Sequence, residues 1–229
     1  LGQGERSRAG KILGNGFILL ILFTLFTSLI AYIFMEPILL FTGASENTLE
    51  YAVDYLSIYL LGTIFVEIST GLNSFINTQG FSKVGMKTVL IGAVCNIILD
   101  PVFIFVFGMG VQGAALATVI SQAVSAVWVI LFLTGKQTKL KIKTKYFKPK
   151  ASVLLPVCAL GVSPFIMNAT ESAINIAFNA SLSRYGGDVA VGAMTVITSA
   201  SQLCTLPIQG ICQGGQPVMS FNFGAGKKP

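Results

Sequence analysis

Six long apolar stretches dominate this sequence, and each is long enough to cross a lipid bilayer as an α-helix. Such a helix needs about 20 apolar residues to span the hydrocarbon core. The chain is 53% hydrophobic and only 10% charged, a composition outside the range of ordinary soluble domains. We therefore predict an all-α fold, a polytopic membrane bundle of six transmembrane helices. The stretches cover residues 12–35, 53–78, 86–107, 111–133, 153–182 and 189–221.

Basic residues lie in every second loop, and the loops between them carry carboxylates, no charge, or the single pair Arg184 and Asp188. Since Lys and Arg in short loops mark the cytoplasmic side, both chain ends are predicted to be cytoplasmic. This distribution leaves no concentrated basic face, so nucleic acid is not an expected partner. The basic groups are Arg6, Arg8 and Lys11, then Lys83 and Lys87, then seven lysines within 136–150, then Lys227 and Lys228.

The seven lysines within 136–150 have two interpretations. They are typical of a plain cytoplasmic linker, which we favour, and the alternating lysines of 139–145 could also rest on anionic lipid headgroups.

Several kinds of chemistry are excluded by the residue types present. The chain contains no histidine, which removes imidazole metal ligands and histidine proton relays. Its four cysteines lie singly inside apolar stretches, so we predict buried free thiols. No Ser-Lys or Cys-His constellation and no phosphate-binding loop accompanies them, so the protein is not expected to be an enzyme or to need a cofactor.

Three of the apolar stretches carry a polar stripe at helical spacing. In the fifth, four polar residues fall within an arc of about 80° at about 100° per residue. We predict that the three stripes line one hydrated cavity. The alternative, which stays open for each single residue, is that these groups only form hydrogen bonds across packed interfaces. The stripes are Glu67, Thr70, Asn73, Ser74 and Asn77; Asn168, Glu171, Asn175 and Asn179; and Thr195, Thr198, Gln202, Thr205, Gln209, Gln213 and Gln216.

Asp100 lies deep in the third stretch, one helical turn after Asn96 and directly before Pro101. An intramembrane carboxylate is costly and usually lines an aqueous path or the interior of a bundle. Its proline neighbour also suits a structural role, in which Asp100 accepts hydrogen bonds from groups freed by a kink. We leave ion coupling and structure open for Asp100, and the role of Glu67 undecided. The fourth stretch has small residues at four-residue spacing, which predicts a packing element.

The residues 96–104, NIILDPVFI, and 110–122, GVQGAALATVISQ, closely resemble the signature of the multidrug and toxic compound extrusion (MATE) transporters. The segments 2–5 and 186–190 resemble two loops of the same family, so the resemblance covers essentially the whole chain. The motif of residues 1–4, LGQG, recurs as FGAG at 223–226, as expected at equivalent ends of a repeated half.

The resemblance implies twelve helices in two six-helix lobes, of which the six here correspond to helices three to eight. Residues 1–135 would then supply four helices of the N-terminal lobe and 151–229 two helices of the C-terminal lobe. Residues 136–150 would form the cytoplasmic linker between the lobes. The remaining helices of the same full-length chain would be its partners, and this segment alone is expected to be inactive.

The family's activity is export of organic, often cationic, drugs or toxic metabolites by alternating access at the plasma membrane, driven by inward flow of Na⁺ or H⁺. The implied partners are a small-molecule organic substrate and membrane lipid, with no cofactor beyond the coupling ion. Glu171 matches the seventh-helix glutamate that helps to bind the coupling cation, so Na⁺ could bind there, with Asn168, Asn175 and Gln202 as neighbours. The other cavity or structural residues are Asp100, Asn96, Glu67, Asn73, Asn77, Gln209 and Gln213.

An alternative within the same superfamily is a flippase or exporter of a lipid-linked or other metabolite. Such proteins usually line the cavity with several cationic side chains. Here no Lys or Arg lies in the interior of any apolar stretch, which favours cationic or neutral substrates over anionic lipids.

Overall fold

A computed structural model describes residues 5–142, 144–147 and 149–226 of the chain, and all regular structure in these ranges is helical. The helices are α1 (Arg6–Ile33), α2 (Met35–Phe41), α3 (Glu46–Thr78), α4 (Ser82–Pro101), α5 (Gly110–Thr134) and α6 (Ala151–Gly224). A π-helical turn, Val102–Val106, follows α4, and a short 3₁₀ turn, Thr144–Tyr146, precedes α6. All but α2 are long and apolar enough to cross a membrane, which confirms the predicted all-α membrane fold.

Helix α6 contains both the fifth and the sixth predicted spans, because the chain reverses direction inside it. Gly187 has φ 64° and ψ −168°, a conformation that glycine adopts without the steric cost of a side chain. The first arm, residues 151–186, passes Gly43 at Asn179, and the second arm, 188–224, returns to bring Phe221 beside Ala9. The two arms therefore form a helical hairpin, and the chain makes six crossings of the bundle.

The bundle has two chemically different ends. One end, which we call the basic end, is formed by residues 5–15, 79–87, 134–142, 144–147, 149–150 and 217–224. The other, which we call the acidic end, is formed by residues 34–54 and 179–188. The LGQG motif of residues 1–4 lies outside the described residues, as do the basic residues Lys143, Lys148, Lys227 and Lys228.

The main core lies at the basic end, where α1, α3 and α5 meet. It is formed by apolar side chains of all three helices, and α5 packs most extensively on α3 and then on α4. The linker also contributes Leu140, which is 4% exposed. In contrast, α6 contains no buried residue. The packing therefore distinguishes α1–α5 from the hairpin, while the lobe boundaries at residues 135 and 151 stay a prediction.

Small residues on α5 allow the closest helix contacts, as the sequence predicts. Gly113, Ala117, Ser121 and Ser125 are all buried. Opposite α5, Gly62 of α3 lies against Val119, and a Cβ added to Gly62 would lie 2.9 Å from the Val119 Cβ and closer still to both methyl groups. A valine has few rotamers with which to move away, so Gly62 sets the distance between α3 and α5.

Replacing Gly62 by alanine is expected to destabilise the protein by about 1–3 kcal/mol, the usual cost of overpacking a core. The melting temperature of the full-length protein in detergent measures this loss. Gly161→Ala is the matched control, because nothing lies within 4 Å of the added methyl group there and alanine is the better helix former. Equal melting temperatures for the two variants would contradict the proposed contact.

The four cysteines are free, as predicted, but the prediction that they are buried is wrong. Cys95 is half-buried, and Cys158, Cys204 and Cys212 are exposed. The reason is that the last three lie on α6, which buries no side chain against the rest of the described chain.

Candidate functional site

A polar cavity of about 260 Å³ lies inside the bundle between α3, α4 and α5. Nine of its twelve lining residues carry a hydroxyl or an amide group, in a part of the sequence that is otherwise apolar. We refer to it as the polar cavity. Its polar lining consists of Ser69, Thr70, Asn73, Thr88, Asn96, Thr118, Ser121, Gln122 and Ser125.

Helix α3 contributes one face of the polar cavity, because Ser69 and Asn73 are one turn apart. The Ser69 hydroxyl lies 2.8 Å from Gln122 Oε1 of α5, and Asn73 Nδ2 donates to the Gly85 carbonyl of α4 at 3.2 Å. Asn73 Oδ1 is buried and has no hydrogen-bond partner among the described residues. Since buried acceptors are normally satisfied, this oxygen is an unused acceptor on a residue that lines the polar cavity.

The carboxylate of Asp100 is linked to the polar cavity through Asn96, a lining residue on the same helix. Asn96 and Asp100 are four residues apart and so share one helix face. Asn96 Nδ2 donates to Asp100 Oδ1 at 3.1 Å and lies 3.5 Å from the Thr118 hydroxyl of α5. Asp100 and Asn96 are both half-buried. The arrangement places a carboxylate, an amide and a hydroxyl together across the α4–α5 contact.

Among the described residues, Asp100 accepts no hydrogen bond from backbone groups near Pro101, which is one form of the structural role that the sequence leaves open; the choice between structure and ion coupling stays a prediction. Pro101 is followed by a π-helical turn, where Phe107 N–H donates to the Val102 carbonyl at 3.0 Å. Among the described residues, Asp100 receives its hydrogen bond from the Asn96 side chain and from no backbone N–H. The irregular turn after Pro101 is therefore satisfied without the carboxylate.

The predicted residues of α6 do not join the polar cavity. Their side-chain hydrogen bonds in the described chain are local, such as those from Asn168 Nδ2 to the Pro164 carbonyl and from Thr198 Oγ1 to the Met194 carbonyl, each at 2.9 Å. Among the described residues the three polar stripes do not meet in one cavity, and the part of the α3 stripe at Thr70 and Asn73 lines the polar cavity with α4 and α5; the cavity shared by all three stripes stays a prediction. Asn168, Glu171, Asn175, Gln202, Gln209 and Gln213 of α6 are exposed, as is Glu67 of α3, and Asn77 is half-buried near the basic end.

Sequence reasoning missed the α5 side of the polar cavity. We interpreted the hydroxyl residues of α5 as small packing residues, and they do pack closely, but they also line the cavity. Ser125 Oγ donates to the Thr88 carbonyl at 3.1 Å, and a Cβ on Gly92 would lie 2.6 Å from that hydroxyl. The signal was present, because Gln122 adds an amide to a run of hydroxyls at helical spacing.

The chemistry of the polar cavity favours a positively charged ligand. Its lining offers acceptor oxygens, with one carboxylate beside them, and contains no Lys or Arg among the described residues. Oxygen ligands suit hard cations, and an intramembrane carboxylate that can change its protonation suits proton transfer.

Comparison with known proteins finds a family model and relatives that match this chain. The family model MatE matches residues 1–102 and 164–229. The multidrug export protein MepA of Staphylococcus saprophyticus is 30% identical over 214 residues, which is 93% of this chain and 45% of that protein. The chain thus spans about half the length of the curated relatives it matches.

Two solved structures have the same fold. The MATE multidrug transporter DinF-BH, solved in complex with R6G, has 33% identity and a TM-score of 0.91 over 98% of this chain and 50% of its own. An outward-facing MATE family transporter of the MOP superfamily has 23% identity and a TM-score of 0.87 over 99% of this chain and 50% of its own. Both matches, like the relatives, are membrane transporters and not enzymes. The chain belongs to the MatE family.

Proposed function

We propose that the full-length protein is an antiporter that exports organic, cationic compounds by alternating access, driven by inward flow of Na⁺ or H⁺. The observation that carries the proposal is the polar cavity, which holds acceptor oxygens beside Asp100 and no cationic side chain among its described lining. The names of similar proteins, a multidrug export protein and a multidrug transporter in complex with R6G, support the class of activity.

Two acids are our candidates for coupling. Asp100 has the more complete polar surroundings, because Asn96 and Thr118 already lie around it. Glu171 is exposed, but helical spacing places Asn168 and Asn175 on its face, and further ligands would come from Gln202 or from the rest of the full-length chain. Glu67, Asn73, Asn77, Gln209 and Gln213 would then serve as cavity or structural polar groups.

We further propose that the basic end faces the cytoplasm of a plasma membrane, following the bias of Lys and Arg toward that side. The lobe of α1–α5 and the hairpin α6 would then be joined by a cytoplasmic linker, residues 136–150. The flippase alternative has no specific support, since the described lining of the polar cavity offers no cationic group for an anionic lipid.

Everted membrane vesicles containing the full-length protein provide the test. Their lumen corresponds to the cell exterior, so inward coupling means that the ion leaves the lumen while a cationic dye such as ethidium enters it. We expect dye uptake when the lumen is loaded with Na⁺ or with acid, and loss of uptake when monensin or nigericin dissipates that gradient. Uptake that is equal without any gradient would contradict coupling, and no uptake with either gradient would contradict the antiporter.

A further inference from the structure

The linker between α5 and α6 is hydrogen-bonded to α1 and α3 at the basic end. Two buried side-chain amides make this attachment: Gln79, which is 6% exposed, and Asn15, which is 2% exposed. Neither amide has a part in the polar cavity. Burying an amide costs free energy unless its hydrogen bonds are made. The hydrogen-bond partners of Gln79 and Asn15 therefore indicate the role of each side chain.

Gln79 follows the last turn of α3 and accepts hydrogen bonds from the linker backbone. Its Oε1 lies 2.8 Å from the Leu140 N–H nitrogen and 2.9 Å from that of Lys139, while its Nε2 donates to the Phe75 carbonyl at 2.9 Å. A carbonyl oxygen has two lone pairs, which these two N–H groups fill. The nearby Thr138 hydroxyl can then give its single proton to the Leu140 carbonyl, 2.8 Å away.

The same part of the linker belongs to the hydrophobic core. Thr138 and Leu140 point inward and are buried, Ile142 is half-buried against the core, and Lys139 between them is exposed. The Ile142 N–H also donates to the Leu133 carbonyl at the end of α5, at 3.2 Å. Residues 138–142 are therefore packed and hydrogen-bonded as part of the α1–α5 lobe.

Asn15 holds the other end of the linker to α1. Its Nδ2 donates to the Tyr146 carbonyl at 3.1 Å, and its Oδ1 accepts from the Lys150 N–H at 2.7 Å. Lys150 is the N-cap residue of α6. Gly14 makes the approach possible, since a Cβ there would lie 2.6 Å from Tyr146 Cβ and 2.8 Å from its carbonyl oxygen. The N-terminus of α6 is thus tied directly to α1.

We infer that Asn15 and Gln79 are positioning residues that make the linker a rigid part of the α1–α5 lobe, so that the two lobes pivot inside α6 and not in the linker. The pivot would lie between Lys150 and Pro164. Pro156 and Pro164 each remove a helical N–H and leave a carbonyl one turn earlier without its partner, which makes this part of the first arm easy to bend. The inference rests on the proposed alternating access, because only then do the lobes move relative to each other.

Distances between spin labels in the cysteine-free full-length protein test this inference. One pair, Lys87→Cys with Lys145→Cys, joins the lobe to the linker, and the second, Lys87→Cys with Arg184→Cys, joins the lobe to the hairpin turn. All three positions are exposed. Between Na⁺-loaded and Na⁺-free samples, and between low and high pH, we expect the lobe–linker distance to stay narrow and unchanged while the lobe–hairpin distance shifts.

A matched pair of variants tests the role of Gln79. In Gln79→Met the side chain keeps its size but cannot accept the two N–H groups, so the lobe–linker distance should gain a second, broader population. Gln137→Met makes the same change at an exposed linker position and should leave the distance narrow. In vesicles, Gln79→Met should lower the maximal rate of dye uptake by about tenfold with an unchanged KM, as expected when a motion and not substrate binding is affected.

Three results would overturn the inference. The first is a wild-type lobe–linker distance that shifts as much as the lobe–hairpin distance, which would make the linker the hinge. The second is a lobe–linker distance as narrow in Gln79→Met as in Gln137→Met. If Gln79→Met fails to fold, the comparison of the lobe–linker and lobe–hairpin distances in the wild type still tests the inference. The third is a lobe–hairpin distance that responds to neither ion, which would remove the pivot and count against alternating access, while a narrow lobe–linker distance would still support the attachment.

Discussion

Replacing Asp100 by asparagine in the full-length protein is expected to lower gradient-driven dye uptake by about 5–150-fold, the range that corresponds to a typical coupling free energy between two sites. Asparagine has nearly the same shape and can still accept the hydrogen bond from Asn96 Nδ2, which lies 3.1 Å from Asp100 Oδ1. What it cannot do is carry negative charge or exchange a proton. The loss should therefore appear in the response to the ion gradient, with dye binding changed much less.

This substitution separates the two roles that the sequence leaves open for Asp100. If the residue served only as a polar anchor, asparagine would preserve the contact, and uptake would remain near the wild-type level. Asp188→Asn is the matched control, because it makes the same chemical change at an exposed position beside the turn at Gly187. Coupled uptake that survives in Asp100→Asn as well as in Asp188→Asn would contradict a coupling role.

The fold was largely predictable because hydropathy and length are properties of each segment by itself. All six spans coincide with helical crossings, and Lys83 and Lys87 lie at the same end of the bundle as the described lysines of 136–150. Even the merging of two spans into α6 follows from a local feature, since Gly187 allows the reversal of direction. Such features depend on neighbours in the sequence and need no knowledge of how the helices pack.

The candidate site was less predictable because it depends on the orientation of each helix about its own axis, which decides which faces of neighbouring helices meet. The sequence showed the polar stripe of α3 that contains Asn73. The α5 residues that face this stripe are determined by close contacts between the two helices, such as that of Gly62 with Val119. A periodicity argument treats one helix at a time and cannot show which two faces meet. For the same reason, hydroxyl residues of α5 that both pack and line a cavity were assigned to packing alone.

The polar stripes of α6 show a different difficulty. Both arms follow the predicted periodicity, but no residue of α6 is buried, so no described part of this chain covers Glu171 or Gln202. The relatives are about twice as long as this chain, which leaves room for further helices against the hairpin in proteins of that length. The prediction for α6 therefore depends on packing partners that a sequence of this length does not supply.

Replacing Glu171 by glutamine in the full-length protein is expected to abolish cation-driven dye uptake while leaving insertion and folding intact. The exchange keeps the volume and one acceptor oxygen but removes the charge that would hold Na⁺ or exchange a proton. Since Glu171 makes no hydrogen bond among the described residues and is exposed on α6, its loss should not destabilise the helix. Uptake by everted vesicles measures the effect, and the melting temperature in detergent checks the fold.

Glu50→Gln is the matched control for this variant, because Glu50 is an exposed carboxylate in the second turn of α3, near the acidic end. We expect its uptake to equal that of the wild type. Uptake in Glu171→Gln that equals uptake in Glu50→Gln would contradict the role of Glu171 and leave Asp100 as the coupling acid.

Loss of uptake in both Glu171→Gln and Asp100→Asn would instead require two acids in the cycle, one on each side of the linker, because the two carboxylates share no hydrogen bond in the described chain. Coupling would then have to pass between the lobes through their relative motion and not through direct contact of the acids.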